Sequence, residues 1–97
     1  MLAKRRTGGP RRKVKVSFTL TAPDAETVYL LGDFNEWQAS DVMTRGDDGT
    51  WGLTLTLDPD REYQFRYLVN GTSWQNDAAA DKYAPTAYRD DNSVVVT

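Results

Sequence analysis

The sequence of 97 residues contains no cysteine and no histidine. Disulfide frameworks, thiol catalysis, Cys/His zinc sites and catalytic triads that use imidazole as the base are therefore excluded. The chain also lacks an apolar run long enough for a membrane span, and its basic start lacks the apolar segment of a secretory signal. These absences predict a cytoplasmic protein with no metal, no other cofactor and no membrane partner.

The charge is distributed unevenly. Seven of the 12 basic residues lie within the first 15 positions, which hold no acid, so residues 16–97 carry five basic against 14 acidic residues, a net charge of −9. Because the start has no apolar periodicity and contains Gly8-Gly9-Pro10, we expect a basic flexible tail over 1–12 and a folded domain over 13–97. The tail suits an anionic surface or an acidic partner, although a solvated terminus is the simpler interpretation. Nucleic acid is not expected, because the tail has no aromatic residue on which bases could stack.

The rest of the chain alternates apolar and polar residues with a period of two, which is typical of half-buried strands. Strands are predicted over 13–21, 28–31, 51–57, 63–70, 73–75 and 93–97. Within them Phe65 and Tyr67 face the core and Arg66 faces outward, and Asn70-Gly71 is the strongest hairpin signal. No segment has an apolar period of 3.6 residues. The pattern predicts an all-β protein, a small antiparallel β-sandwich of immunoglobulin-like type without the cysteine pair of antibody domains.

The three tryptophans differ in their surroundings. Trp51 is in phase with the leucines that follow it and is expected in the core. Trp37 and Trp74 lie among polar residues, in a loop and after the hairpin turn. An exposed indole offers a flat apolar face and an N–H donor, which suit a sugar ring or a partner protein. The alternative is that each indole only covers one end of the sandwich.

Several motifs occur in order along the chain. They are Val-Tyr-Leu-Leu-Gly-Asp-Phe-Asn-Glu-Trp at 28–37, Asp-Gly-Thr-Trp at 48–51, Tyr-Gln-Phe-Arg-Tyr-Leu-Val-Asn-Gly at 63–71, Trp74, and Asn-Ser-Val-Val-Val at 92–96. Together they resemble the family 48 carbohydrate-binding modules, which include the glycogen-binding domain of the AMP-activated protein kinase β subunit and the N-terminal early-set domains of isoamylases and branching enzymes. The resemblance covers residues 13–97, and the combination of motifs is more specific than either main motif alone. It implies an early-set immunoglobulin-like fold and binding of α-1,4-glucan, meaning glycogen, starch or maltodextrins.

The resemblance also implies a set of site residues. In the glycogen binders of the family, two tryptophans that correspond to Trp37 and Trp74 flank the sugar chain. A basic residue on the first strand of the hairpin hydrogen-bonds sugar hydroxyls, and Arg66 occupies that position. A polar residue just before the last strand also contacts sugar, which points to Asp91 or Asn92.

The chain departs from the family pattern before its last strand. The kinase domains carry a Thr-x-Asn stretch where this chain has Arg-Asp-Asp-Asn at 89–92, so the contact falls on Asp91, on Asn92 or on neither. Tyr88 is a candidate for a further aromatic surface. Phe34 is expected in the core and is not counted as a ligand.

Catalysis, cation binding and protein interaction are the other interpretations of these residues. Asp33 and Glu36 are a pair of carboxylates, but a domain this small cannot enclose a sugar and exclude water, so the protein is not expected to be an enzyme. The neighbouring acids at 47–48 and 90–91 lack the spacing of a calcium loop and are explained by turns. The remaining alternative is a protein-interaction or regulatory subunit that docks to a kinase-like or amylolytic partner without binding sugar.

Overall fold

The protein folds into ten strands and one 3₁₀ turn in a computed structural model that describes residues 1–6, 12–86 and 90–97. The strands are β1 (Leu2–Arg6), β2 (Val14–Thr21), β3 (Val28–Gly32), β4 (Asp41–Val42), β5 (Thr44–Arg45), β6 (Thr50–Leu57), β7 (Glu62–Val69), β8 (Ser73–Gln75), β9 (Lys82–Pro85) and β10 (Asp91–Val96), and the turn is Asp33–Asn35. None of the described segments is a helix of the length and apolar character that crossing a membrane requires.

Two antiparallel sheets form a sandwich. The first sheet has the order β1-β2-β6-β5 and the second has the order β4-β3-β7-β10-β9. Strand β8 pairs with residues 67–69 of β7, whereas β10 pairs with residues 62–65 of the same strand. The strands β8 and β10 therefore lie end to end beside β7, and the alternate side chains of both that point away from the core share the outer face of the second sheet.

The core lies between the sheets and is rich in aromatic rings. Phe18 contacts Phe65 edge to face at 5.0 Å between ring centroids, and Phe65 contacts Tyr67 in the same way at 5.8 Å. Phe34 packs against Phe18 from the edge of this cluster. Trp51 is buried and its indole N–H donates to the Ala22 carbonyl at 3.0 Å. The predicted core positions of Phe65, Tyr67 and Trp51 are confirmed, and the immunoglobulin-like sandwich is the observed fold.

Residues 2–6 differ from the prediction of a flexible tail over 1–12, because they form the edge strand β1 along β2. Leu2, Lys4 and Arg6 point to the core side of that edge. Leu2 packs on the core, while Lys4 Nζ reaches Asp81 at 2.5 Å and the Val96 carbonyl at 2.9 Å, and Arg6 donates to the Thr97 carbonyl at 3.0 Å.

Two of the three β1 residues that face the core side are charged, so β1 lacks the alternation of apolar and polar residues that predicts a strand. Here the long basic side chains find acceptors on the opposite sheet, which the local sequence does not show. Residues 7–11, the rest of the predicted tail, lie outside the described residues.

Candidate functional site

An open groove of about 480 Å³ lies on the outer face of the second sheet. It is lined by Trp37, Arg66, Trp74, Thr86, Asp90 and Asn92. Four of the five residues singled out in the sequence therefore come together, although they are separated by up to 55 positions along the chain. Asp91 is the exception.

The loop that carries Trp37 is built from the residues just before it. Gly32 passes so close to β7 that a Cβ atom there would lie 2.5 Å from the Gln64 carbonyl oxygen. The Asn35 side chain accepts from the Gly32 N–H at 3.0 Å and donates to the Leu30 carbonyl at 2.8 Å, which closes the turn. Much of the Gly-Asp-Phe-Asn motif is thus architecture that places the half-buried indole of Trp37.

The end of this loop has an uncommon backbone conformation. Glu36 has a φ of 57° and Trp37 has a φ of 59°, so two successive residues that are not glycine are left-handed. Such residues are infrequent, and they persist where the surrounding structure holds them in place. The Trp37 N–H donates to the Gly32 carbonyl at 2.9 Å, and this bond helps to hold the conformation.

Arg66 forms the floor of the groove. It faces outward from β7 between the buried side chains of Phe65 and Tyr67, as predicted, and only 16% of its side chain is exposed. Its Nε donates to Asn92 Oδ1 at 2.6 Å, and its Nη2 lies 3.0 Å from Asp90 Oδ2. A guanidinium has five N–H donors, and these two bonds to described residues orient its plane.

Asn92 is the polar residue that reaches the groove from the last strand. Ser93 pairs with Phe65, and this register brings the preceding Asn92 beside Arg66. Its Nδ2 donates to Gln64 Oε1 at 2.9 Å while its Oδ1 accepts from Arg66.

Asp91 points to the other face because successive side chains alternate along a strand. Its carbonyl accepts from Asn76 Nδ2 at 2.8 Å. Of the two residues that the sequence named before the last strand, the structure brings Asn92 and not the Asp91 side chain into the groove.

Trp74 forms the opposite wall. It lies in β8, directly across from Leu68 of β7, and 49% of it is exposed. Among the described residues its indole N–H has no hydrogen-bond partner. The second tryptophan therefore presents both its ring face and its donor.

The sequence did not identify Thr86 and Asp90 as groove residues. The Thr86 hydroxyl bonds the Asp90 carboxylate, and together with the Arg66 guanidinium it holds the pKa of the Asp90 carboxyl below its usual range. Arg66 thus lies between an amide and a carboxylate. The sequence does show two adjacent acids just before the last strand. Which of them faces Arg66 depends on the strand register, which the sequence does not show. Tyr88, the further aromatic candidate, lies outside the described residues.

The Asp33 carboxylate, in the loop that carries Trp37, is engaged by the protein itself. Within residues 1–6, 12–86 and 90–97, no group of three or more acidic side chains is placed to hold a metal ion. The Asp33 carboxylate accepts two hydrogen bonds from the protein, at 3.0 Å from the Trp37 indole N–H and at 2.8 Å from the Gln64 N–H. The groove offers two aromatic faces, a fixed cation and amide groups, which are means of binding.

Comparison with known proteins agrees with this geometry. Residues 6–84 match the family model described as carbohydrate-binding module 48 (isoamylase N-terminal domain). The chain is 42% identical over 72 residues to the 1,4-alpha-glucan branching enzyme GlgB of Mycobacterium ulcerans, covering 71% of this chain and 10% of that enzyme. It is 32% identical over 65 residues to the chloroplastic protein FLOURY ENDOSPERM 6 of Oryza sativa subsp. japonica, covering 67% of this chain and 12% of that protein.

The fold has a counterpart among solved structures. The whole chain superposes on 12% of the pullulanase from Bacillus acidopullulyticus with a TM-score of 0.65 and 23% sequence identity. The chain spans about a tenth of the length of these relatives, whose enzymatic names describe much longer proteins. The sandwich, the groove and the match over residues 6–84 lead to one conclusion: the chain belongs to the carbohydrate-binding module 48 (isoamylase N-terminal domain) family.

Proposed function

We propose that the protein is a non-catalytic binding module for α-1,4-glucan, meaning glycogen, starch or maltodextrin, with the sugar chain held between Trp37 and Trp74. The observation that carries the proposal is the joint placement of two indoles and a fixed Arg66 in one open groove. Each wall of the groove is an aromatic ring, and the floor between the walls is polar.

The aromatic walls suit the apolar faces of sugar rings. A pyranose has C–H groups that pack on an indole, while its hydroxyls project from the ring edge toward polar partners. Trp37 is half-buried and Trp74 is about half exposed, so both still present ring surface on which a sugar can pack.

The polar floor suits hydroxyls more than charged groups. The charge of Arg66 is balanced by Asp90 at 3.0 Å, so the groove is not a strong anion site. A guanidinium has five N–H donors in a fixed plane, which suit neutral acceptors with defined geometry, such as two hydroxyls of one sugar or of neighbouring sugars. The name of the relative from Mycobacterium ulcerans, a 1,4-alpha-glucan branching enzyme, supports this class of polymer.

An open groove implies modest affinity. Water also satisfies the hydroxyls of an unbound sugar, so the net gain comes from stacking and a few hydrogen bonds. We expect dissociation constants for short oligosaccharides in the range of roughly micromolar to millimolar, about −8 to −4 kcal/mol. Tight retention on a polymer requires several modules or a linked partner domain.

The test is a titration of tryptophan fluorescence and of heat release with β-cyclodextrin and maltoheptaose, with cellohexaose as the β-linked control. We expect saturation by the α-glucans alone, and its loss in the Trp37→Ala and Trp74→Ala variants. Val42→Ala is the matched control, because Val42 is an exposed apolar residue on the same sheet that does not line the groove. A flat response of the intact protein at millimolar α-glucan contradicts the proposal and favours protein interaction.

A further inference from the structure

One carboxylate links the loop of the groove to its floor. Asp33 Oδ1 accepts from the indole Nε1–H of Trp37 at 3.0 Å, and Asp33 Oδ2 accepts from the backbone N–H of Gln64 at 2.8 Å. Gln64 lies two residues before Arg66 on β7, and its side chain accepts from Asn92. Through Asp33, the aromatic wall is joined to the strand that carries the polar floor.

The turn itself does not require this carboxylate. The backbone of the turn is closed by the Trp37 N–H on the Gly32 carbonyl and by the side chain of Asn35 on Gly32 and Leu30. The Asp33 oxygens accept instead from a side chain and from a neighbouring strand. Their position is therefore explained by the orientation of the indole and not by capping of the 3₁₀ turn.

The three indole N–H groups are treated differently by the protein. The N–H of Trp51 donates to a buried carbonyl and that of Trp37 donates to Asp33, while that of Trp74 has no partner in the described part of the chain. Because its donor is occupied, Trp37 can offer a ligand only its ring face. Trp74 retains a donor, and no hydrogen bond within the described residues restrains its indole.

We propose that Asp33 is a positioning residue that holds the indole of Trp37 in its stacking orientation, so that Trp37 is the fixed wall of the groove and Trp74 the adaptable one. The inference rests on the proposed glucan-binding function. An aromatic ring that is oriented before the ligand arrives loses less conformational freedom on binding, and affinity rises accordingly.

The first test needs no ligand. Solvent exchange of the three indole N–H signals is measured by NMR in the intact protein and in Asp33→Ala and Asp33→Asn variants. We expect the Trp74 indole N–H to exchange fastest and that of Trp51 slowest. The Trp37 indole N–H is expected to approach the rate of Trp74 in the Asp33→Ala variant and to move only part of the way in Asp33→Asn, whose amide oxygen can still accept a hydrogen bond. Glu36→Gln is the matched control, since it changes one carboxylate in the same loop and the Glu36 side chain makes no hydrogen bond or ion pair within the described residues. An unchanged rate for Trp37 in Asp33→Ala overturns the assignment, whether or not the protein binds glucan.

The second test asks whether Asp33 acts on binding through Trp37. Asp33→Ala is expected to weaken maltoheptaose binding on the order of five- to tenfold, within the effect of one lost hydrogen bond to a charged acceptor. In a Trp37→Phe background, which keeps a ring but has no N–H, the same substitution is expected to change the affinity by less than about twofold, because its target is already absent.

An equal loss in both backgrounds refutes the positioning role and indicates a direct or general structural effect of Asp33. If the intact protein binds no α-glucan at all, the proposed function fails, and the exchange measurement still decides whether Asp33 orients the indole.

Discussion

Replacing Gly32 by alanine is expected to destabilise the domain strongly, although the backbone conformation of Gly32 is an ordinary extended one. A Cβ atom at this position would lie 2.5 Å from the Gln64 carbonyl oxygen, 2.8 Å from Cζ of Phe34 and 2.9 Å from Cβ of Phe65. The Gln64 carbonyl oxygen is part of the β7 backbone and the Phe65 Cβ is attached to it, so neither can move aside like the end of a flexible side chain. The loop or the strand must therefore shift.

Extra atoms in a packed site cost about 1–3 kcal/mol, and the upper end applies where backbone must move. For a domain of this size, about 3 kcal/mol corresponds to a melting temperature lower by roughly 12–24 °C. The matched control is Gly52→Ala, because Gly52 also lies in a strand and its Cβ would meet nothing closer than 3.9 Å. That variant is expected to be neutral or more stable by up to about 1 kcal/mol, through the reduced freedom of the unfolded chain.

The measurement is reversible thermal unfolding followed by circular dichroism. Urea unfolding is measured as well, to confirm that the dependence of the free energy of unfolding on urea concentration is unchanged. The two substitutions add the same methyl group, so their difference isolates the steric contact at Gly32. A Gly32→Ala variant within about 0.5 kcal/mol of Gly52→Ala would refute the reasoning, since substitutions without such contacts fall in that range.

Three further results are expected. Arg66→Lys should weaken α-glucan binding about three- to tenfold in calorimetry, because an ammonium lacks the planar donors that meet Asn92 and a ligand together. Thr86 and Arg66 lower the pKa of Asp90, so this carboxylate stays charged down to acidic pH. The affinity for α-glucan should therefore be constant from about pH 8 to 5 and fall only below about pH 4, the usual pKa of Asp. A decline in affinity near neutral pH would contradict this. Burial and the hydrogen bond to Asp77 raise the pKa of Tyr67 well above its usual range. The free energy of unfolding should therefore fall as pH rises above about 10, where Tyr67 ionises only in the unfolded chain. Absorbance and denaturant titrations of the intact protein and of the Tyr67→Phe variant test this.

The principal strands follow from the sequence because their signal is local. Alternation of apolar and polar residues placed β2, β6 and β7 within one residue of their bounds, and it assigned Phe65 and Tyr67 to the core with Arg66 outside. A short apolar run placed β3, and the preceding hairpin signal placed β8. Besides the edge strand β1, the strands that were not predicted are β4, β5 and β9, which have two to four residues each. A segment so short has too few side chains to establish a period.

By itself, the sequence determined that the protein is an all-β sandwich without thiol or imidazole chemistry, and that Trp37, Arg66 and Trp74 are its most informative surface residues. Only the tertiary structure decided that Leu2–Arg6 is a strand, that Asn92 and Asp90 rather than Asp91 reach Arg66, and that Asp33 takes up the indole N–H of Trp37. The physical reason is the same in each case. These assignments depend on hydrogen bonds and ion pairs set by strand register and loop closure, and neither is encoded in the periodicity of one segment.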